Sequence, residues 1–291
     1  MKKLYSNKPV IFSLVLPGLL VFLFAVLAPI CLSVYYGFMD YSGMGKATPI
    51  GFENYVNLFH DSAFGRSLKN SLLLAIGFIC IQHPLAILVA AVLDKLQGKA
   101  EGIFRCIYFI PNVISVAVIA YLWKFIYNPD FGLLNNIAKA FGHPGKINWL
   151  SQQNAIWSVL IVLIWHGFGW GMLIYYTGIK NIDPVLYEAA SIDGANWWTT
   201  FFKITLPLMK PVIQINVTMA IISALKQMET VYLLTNGGPN NSTQFAANYL
   251  YQQAFKAFKY GYGNAIGVVV IVICVLATVA LNTIFRDKQE A

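Results

Sequence analysis

The sequence predicts an all-α integral membrane protein with six transmembrane helices, and three observations carry that prediction. Of 291 residues, 58% are hydrophobic and only 11% are charged, whereas an ordinary soluble domain carries about 25% charged residues. Mean hydropathy is +0.62. The charges are also segregated, leaving six mainly apolar intervals that contain none. The basic excess of +8 lies between these intervals, where it sets membrane orientation. Nucleic acid is therefore not expected as a partner.

A charge near the bilayer centre costs roughly 2.5–3.5 kcal/mol even on the lenient insertion scale, so charge-free intervals mark the spans. They run between Lys8 and Asp40, Lys69 and Asp94, Arg105 and Lys124, Lys146 and Lys180, Lys210 and Lys226, and Lys259 and Arg286. The chain reads as a single transmembrane domain over residues 1–291. Its spans are expected at about 10–39, 68–93, 105–127, 154–179, 211–234 and 263–285.

The first span follows Met1-Lys2-Lys3, but its apolar run exceeds the roughly 7–15 residues of a signal-peptide core and is expected to stay in the mature protein. The second and third have the length to cross about 30 Å of hydrocarbon at 1.5 Å per residue. The fourth carries Trp165, His166, Gly167, Trp170, Tyr175 and Tyr176. The fifth must pass Lys226 and Glu229 to reach Val231-Tyr232-Leu233-Leu234. Two readings are open for these ions: a pair on one helical face at the interface, or a helix that lines a wet cavity. Gly167-x-x-x-Gly171 and Gly263-x-x-x-Gly267 in the fourth and sixth spans allow close helix approach.

With the N-terminus inside, eleven of the twenty Lys and Arg residues face the cytoplasm, which predicts that both termini are cytoplasmic. Cys31, Cys80, Cys106 and Cys274 lack metal or disulfide spacing and read as packing residues. No Gly-x-x-x-x-Gly-Lys-Ser/Thr phosphate loop occurs, the four histidines are scattered, and carboxylates do not cluster. The chain is expected to be no enzyme and to hold no cofactor or metal.

The loop of about residues 180–210 stands apart. Asp183-Pro184 is a helix opening, with Asp as N-cap and Pro at the first helical position, and Gly194 is a stop. The helix between them carries Val185, Leu186, Ala189, Ala190 and Ile192, with Glu188 and Asp193 its only charges. So short a helix is marginal alone and needs a surface, either its own chain or a partner's groove.

Glu188-Ala189-Ala190-Ser191-Ile192-Asp193-Gly194-Ala195, then Phe201-Phe202-Lys203-Ile204-Thr205-Leu206-Pro207 and Pro211, resembles the EAA loop of permease subunits in binding-protein-dependent ABC importers. Asn236-Gly237-Gly238-Pro239 and Gly261-Tyr262-Gly263-Asn264-Ala265 are similar to the carbohydrate branch of that family, which includes maltose permeases. The resemblance covers roughly residues 65–285. It implies the type I ABC importer permease fold, with the 180–210 loop as a cytoplasmic coupling helix seated in an ATPase subunit. Glu188, Ala189, Ala190, Asp193 and Gly194 are then the coupling residues. The implied partners are a second permease subunit, two ATPase subunits that bind ATP and Mg, an extracytoplasmic sugar-binding protein, and the lipid of a prokaryotic plasma membrane.

Sugar sites combine aromatic faces with amide and hydroxyl groups. Ser223, Gln227 and Thr230 recur four and three apart and form one polar face. The resemblance places the substrate pathway at His166, Gly167 and Trp170 on the fourth span and at Ala220, Ser223, Ala224 and Gln227 on the fifth. Two alternatives remain open: an importer of glycerol-3-phosphate or another polar metabolite, with Lys226 as the candidate cation, and an ion-coupled secondary carrier working through Lys226 and Glu229.

Overall fold

The computed structural model describes residues 8–96, 98–143 and 145–285. Lys2, Lys3, Arg286 and Lys288, counted above among the cytoplasmic cations, lie outside the described residues. Two compact units form, one from residues 1–61 and 250–272, the other from 62–249 and 273–291.

In the first unit, helix α1 (Ile11–Gly37) leads into a small antiparallel pair, β1 (Met39–Asp40) and β2 (Thr48–Pro49), and then α2 (Glu53–His60). Asn54 ties this turn together by donating to the carbonyls of Gly37 (3.0 Å) and Met39 (2.9 Å). The unit also takes in the first part of helix α13 (Tyr260–Phe285). There Gly263 lies so close to Ala254 that an added Cβ would come within 3.1 Å of its Cα, and the Tyr262 hydroxyl donates to Asp61 at 2.7 Å. The 263/267 glycines thus serve close packing.

The second unit begins with α3 (Ser62–Leu93), which is 32 residues long and contains a π-turn at Phe78–Gln82. The interval expected as one span at 105–127 is two helices, α4 (Lys99–Val113) and α5 (Val116–Ile126), bent by 95°. The cause is local. Pro111 removes a backbone donor near the end of α4, Ile114 turns to an extended ψ of 137°, and the Ser115 hydroxyl caps the Val118 N–H of the next helix. A short α6 (Leu133–Ala140) precedes α7 (Ala155–Lys180).

After α7 come the short α8 (Pro184–Ile192) and α9 (Trp197–Leu208), the latter bent 68° from α10 (Lys210–Leu225). Helix α10 stops at Lys226 and α11 (Glu229–Leu234) restarts. Lys226 and Glu229 therefore sit at a helix break, both exposed and making no ion pair with each other. Helix α12 (Ala246–Tyr251) follows the Asn236–Pro239 turn.

Two apolar clusters hold this unit. One joins α3, α5, α7, α10 and α11 through Leu74, Ile119, Val159, Ala224, Val231 and Phe245. The other joins α3, α7 and α9 through Ala90, Met172, Tyr175, Phe201 and Met209. Among the described residues four helices, α1, α3, α7 and α13, are individually long and apolar enough to cross a membrane, and the α4–α5 and α9–α10 pairs bring the number to as many as six.

Candidate functional site

Two places in the second unit combine built geometry with exposed chemistry. The first is α8. Asp183 caps it by accepting from the Val185 N–H at 3.0 Å, and Pro184 fills the first helical position, where its missing N–H costs nothing. At the other end the Ala195 N–H reaches the Ala190 carbonyl (2.9 Å) and the Gly194 N–H reaches Ser191 (3.1 Å), with Gly194 at φ +72°. This paired closure is a Schellman motif, which needs a left-handed residue at that point. The helix is thus fixed at both ends by its own sequence.

Its outer face is bare. Glu188, Ala189, Asp193 and Gly194 are exposed, whereas Ala190 is buried. Ile192 is 87% and Val185 63% exposed, so apolar side chains flank the acidic Glu188 on a surface that no described residue covers. The inner face is anchored: the hydroxyls of Tyr187 and Thr205 lie 3.1 Å apart, and the Lys95 ammonium lies over the Tyr187 ring at 5.9 Å. Burial holds the Tyr187 phenol above its ordinary pKa. Behind it is a pocket of about 380 Å³ with Asp94, Lys95, Ser191 and Trp197 in its lining. Asp94 also pairs with Lys180 at 2.9 Å, joining the ends of α3 and α7. Nearby, the Tyr176 hydroxyl donates to Glu101, which Arg105 approaches at 3.7 Å one turn on.

The second place is a cleft of about 340 Å³ between α3, α4, α7 and α10. Gly167, Trp170, Ala220 and Ser223 line it together with Gln82, His83, Asn112 and Asn216. Trp170, one of the lining residues, is 58% exposed. Three other expected pathway residues lie apart from the lining. His166 offers its carbonyl to the Asn112 amide at 3.2 Å, Ala224 is fully buried in the apolar core, and Gln227 sits in the break after α10. No Lys, Arg, Asp or Glu among the described residues lines the cleft. Among the described residues no group of three metal-ligating side chains forms.

Sequence reasoning did not single out Gln82, His83 and Asn112. The available signal was their position, as polar side chains inside apolar intervals where burial without a partner is costly.

A bundle of apolar helices with an uncharged, largely apolar cleft that carries a few polar side chains, and a separately capped, uncovered helix, is the architecture of a membrane-embedded subunit. The chain belongs to the family described as binding-protein-dependent transport system inner membrane component, which matches residues 82–288. It is 37% identical to the probable ABC transporter permease protein YurN of Bacillus subtilis, over 98% of this chain and 99% of that one. It is also 31% identical to the lactose transport system permease protein LacF of Rhizobium radiobacter, over 92% and 89% of the two chains. The fold matches a chain in the crystal structure of a bacterial alginate ABC transporter in complex with its alginate pentasaccharide-bound periplasmic protein. That match has a TM-score of 0.84 and 24% identity, and it covers 98% of this chain and 96% of the other.

Proposed function

We propose that this chain is the membrane-spanning subunit of an ATP-driven importer, and that it passes a carbohydrate delivered by an extracytoplasmic solute-binding protein. The observation that carries the substrate class is the cleft: an exposed indole, amides and a hydroxyl converge there with no charged side chain, as an uncharged polyol with apolar ring faces requires. Relatives whose names refer to sugars, such as LacF, support the same class. Gly167, Trp170, Ala220 and Ser223 form the path, with His166, Ala224 and Gln227 supporting its walls.

Helix α8 is the coupling element. Glu188, Ala189, Asp193 and Gly194 present the surface that enters a cytoplasmic ATPase subunit, and Ala190 packs inward. ATP binding closes two ATPase subunits, and that closure moves α8 of this chain and of a second permease subunit; hydrolysis resets the spans. ATP and Mg are bound by the partners. The termini lie in the cytoplasm, in the orientation that the Lys and Arg distribution favours.

The testing experiment is purification from the native membrane with mass spectrometry of co-purifying chains, then reconstitution with the binding protein into liposomes. Sugar uptake that requires ATP and the co-purified ATPase is the expected result. A chain that purifies alone and accumulates substrate under an ion gradient overturns the reading.

A further inference from the structure

The glycine pair Gly167 and Gly171 reads in the sequence as a surface for helix approach, yet the structure gives it another occupant. A Cβ at position 167 would lie 3.3 Å from Gln82 Oε1 and 3.4 Å from Nε2, and one at 171 would lie 3.8 Å from both Gln82 Nε2 and His83 Nδ1. The missing side chains make a groove on α7, and an amide and an imidazole from α3 fill it. By contrast, a Cβ at Gly169 would run into the backbone of Tyr108 and Phe109, so only that intervening glycine serves backbone approach.

Successive residues of a regular helix point about 100° apart, close enough for neighbours to border one cleft, as Ile215 and Asn216 do on α10. The π-turn Phe78–Gln82 ends immediately before His83, and both side chains line the same cleft. Single π-turns inside α-helices are frequent at functional sites, where they re-aim side chains.

The hydrogen bonding fixes which atoms point inward. The Gly167 carbonyl can only accept, so the atom of Gln82 that reaches it at 3.2 Å is Nε2. The Tyr175 hydroxyl holds His83 through Nδ1 at 2.9 Å. Gln82 Oε1 and His83 Nε2 are left, each without a hydrogen-bond partner among the described residues, although the side chains are only 6% and 5% exposed. Leaving such an atom unmet costs about 1–3 kcal/mol, which is a site held ready for a ligand that supplies the partner.

From this arrangement we infer that Gln82 and His83 read the hydroxyls of the passing sugar and admit an uncharged carbohydrate in preference to an anionic one, an inference that rests on the cleft being the substrate path. A sugar hydroxyl both donates and accepts, so one can donate to Gln82 Oε1 while a neighbour meets His83 Nε2 in either tautomer. A carboxylate or phosphate carries acceptors only. It would oppose the Gln82 oxygen and find no Lys or Arg in the lining.

The test is uptake by the complete importer, reconstituted with its binding protein, of a panel of neutral disaccharides and trisaccharides and of uronic-acid and phosphorylated sugars of matched length. Transported members should be neutral. For the best of them, Gln82→Met should raise KM about tenfold with little change in kcat, the loss expected of one buried neutral hydrogen bond. Gly167→Ala should act in the same direction by pressing on the Gln82 amide while deleting no polar group. Co-purification with the ATPase verifies assembly of both variants. Efficient transport of a uronate or phosphorylated sugar, or unchanged KM in both variants while Trp170→Ala impairs uptake, overturns this inference alone. Unchanged uptake in Trp170→Ala as well, or no uptake of any panel member, overturns the cleft as the carbohydrate path and this inference with it.

Discussion

The hydroxyl of Tyr187, on the short exposed helix α8, lies 3.1 Å from Oγ1 of Thr205 in the π-turn that leads toward α10. This is a direct polar link between the element offered to a partner and α9, which runs across a 68° bend into the cleft-lining α10. Tyr187→Phe removes one neutral hydrogen bond, worth about 1 kcal/mol, and keeps the packing. Sugar moved per ATP hydrolysed should fall several-fold while membrane assembly is unchanged. Thr205→Val should match it, and the double variant should add little, because both remove the same bond. Additive losses in transport assays would separate the two residues.

Glu188→Lys reverses the one acidic group on the exposed part of α8. Transport should be abolished while the chain still inserts in the membrane, and co-purification with the ATPase should weaken. Uptake at the normal rate would remove Glu188 from the coupling surface.

Gly194 has open space where a Cβ would stand but a φ of +72°, so substitution there is a question of backbone conformation. Valine at this position should cost about 1–2 kcal/mol at the helix terminus, whereas asparagine, which tolerates the left-handed region, should cost less. The expected order of coupled ATPase activity is Gly, then Asn, then Val. Equal activity of Gly194→Asn and Gly194→Val would show that the Schellman closure is dispensable.

Trp170→Ala removes the exposed indole from the cleft and should raise the KM for sugar uptake roughly threefold to tenfold, within the range measured for aromatic contacts beyond their buried area. Gln227→Ala, away from the lining in the break after α10, should have the smaller effect. A larger effect at Gln227 in the same uptake assay would move the path toward the end of α10.

The legibility of these features in sequence follows how local their causes are. Helix α8 was readable because its boundaries lie in its own residues: Asp183 and Pro184 open it, and Gly194 closes it. The apolar intervals were readable because a charge in hydrocarbon is costly wherever it falls. The bend between α4 and α5 was harder, since Pro111 at a helix end is compatible with a straight span until Ser115 begins a new helix. Ala224 and Ala220 look alike as small residues on one helix, yet one is locked in the core and the other borders the cleft; only the facing helices decide between them. Gln82 and His83 escaped because their meaning depends on two glycines 85 and 88 positions later and on a π-turn that breaks the 3.6-residue period.

That π-turn also governs how α3 tolerates changes in length. Upstream of it, Asn70 donates to the carbonyls of Ser242 and Gln244 at 2.9 Å each, and the Ser71 hydroxyl accepts from the Ala246 N–H at 3.1 Å. A π-turn holds about one residue more than the α-turn it replaces, so deleting one residue within 78–81 would restore an ordinary helix and keep these anchors nearly in phase with the residues that follow. The π-turn is therefore the stretch of α3 where a single-codon deletion is best absorbed, whereas the same deletion in the regular helix before it would swing the grip on the 242–246 segment about 100° away from the aim of Gln82 and His83.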